Sequence, residues 1–166
     1  MADAPIVIHD YEERDWSAIW PIFRDVVSAR DTYAYDPAWS KAEAHDVWVM
    51  TEPGSTVVAC AGHEVLGTAQ MGPNRPGPGS HVATASFMVA AGHRGRGVGR
   101  LLGEYVVDWA RARGYHAIQF NAVVESNEPA IALWKSLGFA IIGTVPEAFE
   151  HPEHGLVGLH VMYLKL

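Results

Sequence analysis

A short segment in the second half of the chain combines glycine and arginine in a pattern that suits phosphate binding. It runs Arg94-Gly95-Arg96-Gly97-Val98-Gly99-Arg100. Glycines at alternate positions let the backbone approach a ligand without Cβ clashes. A helix predicted to begin near Val98 would add unpaired N–H groups and the positive end of its dipole. The segment therefore predicts a site for a ligand that carries phosphates.

Two common phosphate-binding patterns do not match this segment. A dinucleotide fold places G-x-G-x-x-G after its first strand, whereas the glycines here stand at positions 95, 97, 99 and 103. A Walker-type loop continues with Gly-Lys-Ser/Thr. This chain has Gly99-Arg100-Leu101 instead, with no hydroxyl for magnesium. The ligand must therefore belong to another phosphate-bearing class.

A second motif follows at residues 127–139. It reads Asn127-Glu128-Pro129-Ala130-Ile131-Ala132-Leu133-Trp134-Lys135-Ser136-Leu137-Gly138-Phe139. Together with R-x-x-G-x-G at 94–99, it resembles the GCN5-related N-acetyltransferases over essentially the whole chain. The resemblance implies acetyl-CoA, with its pyrophosphate on the glycine turn and its pantetheine arm where two parallel strands separate. The cofactor-binding residues it implies are Met88, Val89, Arg94, Gly95, Arg96, Gly97, Val98, Gly99, Arg100, Asn121, Asn127, Ala130, Leu133 and Trp134.

The resemblance also implies catalytic roles near the thioester. The backbone N–H near Val89 can stabilise the oxyanion of a tetrahedral intermediate, a contribution of roughly 3 kcal/mol for one donor. Relatives often have a tyrosine acid where this chain has Trp134, and an indole is not a practical acid near neutral pH. We therefore expect Trp134 to pack, either against the cofactor or within the core. The thiolate would leave unprotonated or through water, aided by Asn127 or Ser136.

Attack on the thioester requires a neutral amine, so we expect a base near the acceptor. Glu125, just past a central strand, is the best-placed carboxylate by sequence, with a solvated loop acid as the alternative. His81 is a second candidate, with a structural role at a strand start as its alternative. His151 and His154 have a spacing that metal ligands could share, but no cysteine or second pair is near them. No metal is expected.

Two shorter resemblances concern the acceptor. Residues 120–127 are similar to acetyltransferases of azetidine-2-carboxylate, in which asparagines matching Asn121 and Asn127 position substrate and cofactor and a third is replaced here by Thr84. Residues 32–37 resemble the substrate loop of phosphinothricin and methionine-sulfoximine acetyltransferases. Both imply that the acceptor is the primary amine of a small amino acid or analogue. The substrate-binding residues expected on this basis are Tyr33, Tyr35, Arg75, His81, Thr84, Asn121 and His151.

Other functions remain open from the sequence. Protein N-termini, polyamines and aminoglycosides are rival acceptors, because polycations would suit an acidic surface. A binding module that keeps the cofactor site without turnover, as a sensor, is the alternative outside the enzymes. The replacement of the usual tyrosine by Trp134 is the feature that favours it.

The elements that must position these residues follow from hydrophobic periodicity and turn residues. The predicted order is β-α-α-β-β-β-α-β-α-β-β, which indicates an α/β fold with a mixed central sheet flanked by helices, in one domain spanning 1–166. Asp15 is expected to cap the first helix, which Pro21 either kinks or starts. The predicted strands are 6–8, 55–61, 64–71, 81–89, 117–124, 139–145 and 159–166, with loops at 73–79 and 146–158.

Composition narrows the partners and the setting. The chain has 166 residues and a formal net charge of −7, which argues against nucleic acid as the main partner. Cys60 is the one cysteine, so no disulfide framework can form and a reducing compartment is expected. Residues 1–5 have no signal-peptide pattern, and no apolar run approaches the ~18 residues of a membrane span. We expect a cytoplasmic protein, and the family resemblance implies a homodimer.

Overall fold

Seven strands form one mixed sheet in the order β1-β2-β3-β4-β5-β7-β6. The computed structural model describes residues 4–166, so part of the N-terminal segment considered for a signal peptide lies outside the described residues. The order of strands and helices confirms the predicted α/β fold. The strands are β1 (Ile6–Asp10), β2 (Ser55–Ala61), β3 (Glu64–Pro73), β4 (Val82–Val89), β5 (Ala117–Val124), β6 (Ala140–His151) and β7 (Gly155–Lys165), and the helices are α1 (Trp16–Ala29), α2 (Lys41–Trp48), α3 (Val98–Ala112) and α4 (Glu128–Ser136).

The sheet is covered on both faces because its inner strands are apolar on both sides. In β2, Val57 and Ala59 pack in one cluster with side chains of α3 and α4. Val58 lies between them in sequence and packs on the opposite face with Phe23 of α1 and Trp48 of α2. All three β2 residues have no exposed surface. The fold therefore has two apolar layers, with the sheet between them.

The gap between β4 and β5 is the feature of the sheet that matters for function. These two strands run parallel, and their pairing ends at Ala83 and Ile118. On its other side, β5 loses its regular register with β7 between Phe120 and Val123. The carboxyl-terminal halves of β4 and β5 therefore separate. Ligands of α/β sheets commonly bind in such a crevice outside the carboxyl ends of the strands.

The predicted loop over residues 146–158 is wrong. The strand β6 continues through much of this range and β7 begins inside it, so the two form a long hairpin. Pro146 has no N–H to donate to the ladder, and the register shifts between Val145 and Phe149, where Glu147 has a φ of 53°. A bulge of this kind interrupts pairing and lets it resume beyond. The sequence pattern showed only the interruption.

The helix α3 begins at Val98, where the sequence predicts it. Ser40 caps α2 by accepting the N–H of Glu43. Asp15 lies at the start of α1, but its carboxylate accepts the N–H of Glu12 (2.8 Å) and makes no cap to the helix. Pro21 lies inside α1 without ending it. Among residues 4–166, no helix is long and apolar enough to span a membrane.

Candidate active site

One continuous cavity of about 960 Å³ occupies the gap between β4 and β5. It extends from the glycine turn before α3 to the loop after α1, and it reaches the hairpin of β6 and β7. Residues from distant parts of the chain therefore share it. Of the predicted site residues, those that line it are Tyr33, Tyr35, Thr84, Met88, Val89, Arg94, Gly95, Gly97, Val98, Gly99, Arg100, Asn121, Asn127, Ala130, Leu133, Trp134 and His151.

The glycine turn presents the N-terminus of α3 to one end of this cavity. Gly95 (φ 77°) and Gly97 (φ 81°) both have left-handed backbone conformations, which residues with a Cβ adopt reluctantly. The carbonyl of Gly97 accepts the N–H of Leu101 at 3.0 Å. The N–H groups of residues 98–100 precede that hydrogen bond and have no partner within the helix. An anion placed here meets several donors and the positive end of the helix dipole.

Arginine side chains add positive charge at the same end. Arg94 and Arg100 both line the cavity. Arg100 donates to Ser136 Oγ at 2.6 Å and to Glu104 Oε1 at 3.2 Å. These contacts hold the guanidinium between α3 and α4, beside the turn. Arg100 thus lies beside the turn as an ion pair with Glu104, and Arg94 adds a second guanidinium at the same end of the cavity.

Trp134 forms an apolar wall of the cavity. Its ring centroid is 4.6 Å from that of Phe87 and 4.9 Å from that of Phe120, and its side chain is almost fully buried. The facing residue on α3 is Gly103, where a Cβ would stand 2.9 Å from Cζ3 of the indole and 2.7 Å from Leu137 Cδ1. The close packing of α3 on α4 fixes the ring. This arrangement gives Trp134 a packing role within an aromatic cluster.

Asn127 joins the end of β5 to the beginning of α4. Its Oδ1 accepts the N–H of Ala130 at 3.3 Å, which caps the helix. That bond fixes the side-chain orientation, so the Nδ2 group is the part left to donate to a ligand. Asn127 therefore combines a structural cap with a donor in the cavity wall.

Alternate backbone groups of β4 face the gap. Ala90 donates its N–H to Leu66 O, and Val82 O accepts the N–H of Asn74. The even-numbered residues of this strand therefore bond toward β3. Because strand residues alternate in direction, the odd-numbered residues beyond Ala83 turn their N–H and C=O toward the gap. An extended ligand can pair with this edge as an additional strand would.

Tyr33 occupies one position along that edge. Its hydroxyl donates to Phe87 O at 2.6 Å and accepts the N–H of Phe87 at 2.8 Å. Burial is the main cause that raises the pKa of the phenol, and the nearby Tyr35 adds to it, while hydrogen bonds from Phe87 and Ser86 oppose the shift. The ring of Tyr35 stacks on that of Tyr33 with centroids 5.3 Å apart. Tyr33 is therefore a half-buried tyrosine whose hydroxyl is held, protonated, at the edge of the gap.

Asn121 ties β5 to the loop that follows β3. Its Oδ1 accepts from Gln119 Nε2 at 2.9 Å, and its Nδ2 donates to Asn74 Oδ1 at 2.6 Å. The side chain thus has protein partners on both ends of its amide. Its first effect is to hold that loop beside the cavity.

His151 closes the cavity at the hairpin of β6 and β7. Its ring is nearly buried, and its Nδ1 accepts the N–H groups of Glu153 (3.1 Å) and His154 (3.3 Å). Because Nδ1 accepts, the proton of the neutral ring lies on Nε2. The Nε2–H of the neutral His151 ring is therefore the group that can donate to a ligand. Among residues 4–166, no group of three or more His, Cys, Asp or Glu side chains is arranged to hold a metal.

Glu125 and Arg96 do not line the cavity. The carboxylate of Glu125 covers Gly158, with Oε2 2.7 Å from the position that a Cβ would take there. Arg96 donates to Nδ1 of His93 at 2.9 Å, beside the turn. A role for Glu125 as base stays a prediction.

Arg75 and His81 are also placed away from the cavity. Arg75 folds back on its own loop and donates to the carbonyl of Asn74 at 3.0 Å. His81 lies before β4 with its ring 5.6 Å from that of His116, and it lines a separate cavity of about 370 Å³. The residues of β4 that line the main cavity begin at Thr84, so His81, which precedes the strand, lies outside it.

Five polar side chains in the cavity wall were not predicted as site residues, namely Asp31, Thr32, Ser86, His93 and Ser126. Asp31 Oδ1 and Ser126 Oγ are buried and have no hydrogen-bond partner among residues 4–166, which is rare for buried polar atoms. Asp31 follows Arg30, whose φ of 57° ends α1. A carboxylate beside a helix C-terminus is disfavoured by the helix dipole. That unfavourable placement is the signal that could have identified Asp31.

The family of the chain follows from its match to known sequences. Residues 12–139 match the profile of the Acetyltransferase (GNAT) family, which is more than half of the chain. The chain belongs to this family. The GNAT enzyme is thus an acetyltransferase, in agreement with the resemblance carried by residues 94–99 and 127–139.

Individual relatives agree with this assignment. A GCN5-related N-acetyltransferase from Kribbella flavida is 57% identical, with a TM-score of 0.95 over 97% of this chain and 98% of that one. The L-methionine sulfoximine/L-methionine sulfone acetyltransferase of Pseudomonas paraeruginosa is 33% identical over 150 residues, 89% of this chain and 80% of the relative. The structure of yncA, a putative acetyltransferase from Salmonella typhimurium with its cofactor acetyl-CoA, is 25% identical, with a TM-score of 0.82 over 97% and 94% of the two chains. The chain spans only 13% to 40% of the length of three other curated relatives that it matches.

Proposed function

We propose that this GNAT enzyme transfers the acetyl group of acetyl-CoA to the primary amine of a small amino acid or amino-acid analogue, by direct attack in a ternary complex. The observation that carries the proposal is the continuous cavity that joins the glycine turn to the loop after α1. A long donor with phosphates at one end and a thioester at the other can fill the first part. Its volume of about 960 Å³ lies at the upper end for small-molecule sites. Room for a small acceptor then remains between Tyr33 and His151.

In this proposal the pyrophosphate of acetyl-CoA binds to the N–H groups of residues 98–100, with Arg94 and Arg100 beside it. The pantetheine arm passes Trp134 and pairs with backbone groups at the open edge of β4. The acetyl-CoA named in the Salmonella structure supports this choice of donor. So do the glycine spacing, which does not match the dinucleotide pattern, and Gly99-Arg100-Leu101, which does not match the Walker pattern.

The transfer itself needs few chemical groups. The amine nitrogen forms a C–N bond with the thioester carbon, and the carbonyl oxygen takes the negative charge. The N–H of Val89, which faces the gap, can stabilise that oxyanion. The carbonyl then re-forms, the C–S bond breaks and coenzyme A leaves as the thiolate. The nitrogen gives one proton to a base, the thiolate takes one from a water molecule, and the protonated base returns its proton to the hydroxide that remains, so the protons balance without an acid at Trp134.

We propose that the carboxylate of Asp31 binds the acceptor amine. A buried carboxylate oxygen without a partner is costly, and an ammonium group would satisfy it. The same carboxylate can take the proton that the amine must lose before attack. His151, as a donor, suits an anionic or carbonyl oxygen on the acceptor. An amino acid carries both groups, and the substrates in the name of the Pseudomonas relative support that class.

A continuous thiol-release assay with a panel of amines tests the proposal. The panel contains α-amino acids and L-methionine sulfoximine, a polyamine, an aminoglycoside and a peptide with a free N-terminus. We expect the highest kcat/KM among the amino acids and their analogues. A higher value for the peptide or the polyamine would contradict the acceptor class. Binding of acetyl-CoA with no turnover of any amine would instead favour a sensor.

We also propose that the enzyme is a cytoplasmic homodimer. The strand β6 is at an edge of the sheet, and on its hairpin Ile142, Val145 and Leu156 are 60%, 52% and 61% exposed. An apolar edge strand is a surface that a second copy can cover. The one cysteine, Cys60, suits a reducing compartment. A monomeric mass by light scattering at micromolar concentration would contradict the dimer.

A further inference from the structure

The contact between Tyr33 and Phe87 is unusual for a strand edge. A side-chain hydroxyl satisfies both the N–H (2.8 Å) and the C=O (2.6 Å) of one residue in β4. The two residues are 54 positions apart in the chain. Trp48 supports the tyrosine ring from the side, with centroids 6.3 Å apart. The hydroxyl is therefore held at a defined point of the gap.

That point lies where the two halves of the cavity meet. The ring of Tyr33 comes from the α1 and α2 face of the sheet, where it packs with Trp48. The side chain of Phe87 lies on the opposite face, with Phe120 and Trp134. Between these faces is the gap through which an acetyl group must meet an acceptor. The Tyr33 hydroxyl is thus beside the path of the reacting carbonyl.

We propose that Tyr33 is a catalytic residue whose hydroxyl, together with the Val89 N–H, donates a hydrogen bond to the oxyanion of the tetrahedral intermediate. This proposal rests on the proposed acetyl transfer. Val89 and Phe87 are both odd-numbered residues of β4, so their backbone groups face the same side. One donor is then a backbone N–H, and the other is a phenol bonded to the backbone two residues earlier.

The resting hydrogen bond makes this donor selective for the transition state. The Tyr33 hydroxyl donates to a neutral carbonyl, Phe87 O, when no oxyanion is present. A thioester oxygen is a weak competitor for that proton, whereas an oxyanion accepts a hydrogen bond about twice as strong as a neutral group does. The Phe87 N–H meanwhile polarises the hydroxyl and strengthens it as a donor. Only interactions that strengthen in the transition state accelerate the reaction.

The proton of Tyr33 is not consumed. The hydroxyl shifts its hydrogen bond from Phe87 O to the oxyanion and returns when the C–S bond breaks. Burial raises the pKa of this phenol, so it stays protonated over the working pH range. The amine still loses its proton to a base, and the thiolate still gains one from water. Tyr33 therefore stabilises charge without acting as an acid.

The first test compares Tyr33→Phe with the wild type. We expect kcat to fall about 100-fold, as when one oxyanion donor is removed, while the Kd for acetyl-CoA changes less than about twofold. Tyr11→Phe is the matched control, because Tyr11 is a partly buried tyrosine whose hydroxyl bonds to Glu13 and His45, outside the cavity. Its activity should equal that of the wild type. An unchanged kcat in Tyr33→Phe would overturn the proposal.

A second test distinguishes donation to the oxyanion from a role of Tyr33 in anchoring the loop after α1. Fluorotyrosines of increasing acidity are placed at position 33, where ring packing stays nearly the same. If the hydroxyl donates to an oxyanion, kcat rises with acidity as long as the phenol remains protonated. A flat series, with the loss in Tyr33→Phe accompanied by a lower melting temperature, would show an anchoring role only and would overturn the proposal.

The two assays also distinguish this inference from the proposed function. Slow hydrolysis of acetyl-CoA forms the same oxyanion with water as nucleophile, so it can be followed without an amine. If Tyr33→Phe acetylates amines at the wild-type rate, the catalytic role of Tyr33 is refuted and the proposed function stands. Absence of amine turnover would refute the proposed function, and the hydrolysis rates of wild type and Tyr33→Phe would still decide the role of Tyr33.

Discussion

Gly103 on α3 lies directly against the indole of Trp134 on α4. A Cβ at Gly103 would stand 2.9 Å from Cζ3 of the indole, closer than real Cβ atoms approach a neighbour. The glycine therefore sets how near the two helices come. Because Trp134 lines the cavity, the same contact sets the position of one of its walls.

We expect Gly103→Ala to weaken acetyl-CoA binding and to destabilise the fold. Overpacking a tight site costs about 1–3 kcal/mol, and the better helix propensity of alanine returns only about 1 kcal/mol. The free energy of unfolding in urea and the Kd for acetyl-CoA measure the two effects. Gly143→Ala is the control, since nothing lies within 4 Å of a Cβ there. A Gly103→Ala variant as stable as the wild type with unchanged affinity would show that the helices move apart freely.

Gly99→Glu should weaken acetyl-CoA binding by electrostatic repulsion. A Cβ at Gly99 makes only ordinary contact, 3.4 Å from Leu133 Cδ2, so the fold should tolerate a side chain. Gly99→Gln is the matched neutral variant. We expect the glutamate to bind acetyl-CoA at least about tenfold more weakly than the glutamine, which corresponds to about 1.4 kcal/mol. The difference should shrink in high salt. Equal affinities for the two variants would mean that the phosphates bind elsewhere.

The fold was predictable because its signals are local. Alternation along β2 places Val57 and Val58 on opposite faces, and both faces are buried as the apolar run indicates. The hairpin of β6 and β7 was missed for the opposite reason. Whether Pro146 ends a strand or sits in a bulge depends on the pairing of Phe149 with Val157 on the other strand. No pattern within residues 139–151 contains that information.

The same distinction applies to the site. The glycine turn was predictable, since glycine and arginine act there through their own backbone and charge. The role of Phe87 was not, because every residue type except proline offers the N–H and C=O that Tyr33 contacts. Arg75 and His81 were expected near the acceptor from their neighbours in sequence. Arg75 instead lies in a loop that folds back on itself, and His81 lies at the opposite end of β4, in a separate cavity.

Asp31→Asn should raise KM for the acceptor amine and lower kcat. An asparagine keeps the size of the side chain but loses the charge that pairs with an ammonium and the basicity that removes its proton. We expect kcat/KM to fall about 100-fold, within the range for loss of a general base, with the Kd for acetyl-CoA unchanged. Asp36→Asn is the control from the same loop, where the carboxylate is exposed and accepts the N–H of Ala38. If Glu125→Gln shows the loss and Asp31→Asn does not, Glu125 is the base.

The stability of the fold should decline above pH 10. Burial raises the pKa of Tyr33, Tyr35 and Tyr105 above the ordinary value of 10.0. Below that pH these phenols are protonated in both states, so they do not alter the free energy of unfolding. Above it, the unfolded chain loses protons that the folded chain retains, which favours unfolding.

Urea unfolding at pH 9, 10 and 11 measures this dependence, and absorbance at 295 nm follows phenol ionisation in the same samples. We expect the free energy of unfolding to fall slightly between pH 9 and pH 10, because burial also raises the pKa of the Cys60 thiol, and to fall more steeply above about pH 10, the ordinary pKa of tyrosine. The slope should be smaller in Tyr33→Phe, because the variant lacks one of the phenols that resist ionisation in the folded state. If all the tyrosines of the folded enzyme ionise near pH 10, the phenols are open to solvent and the tight enclosure of Tyr33 beside Phe87 is refuted.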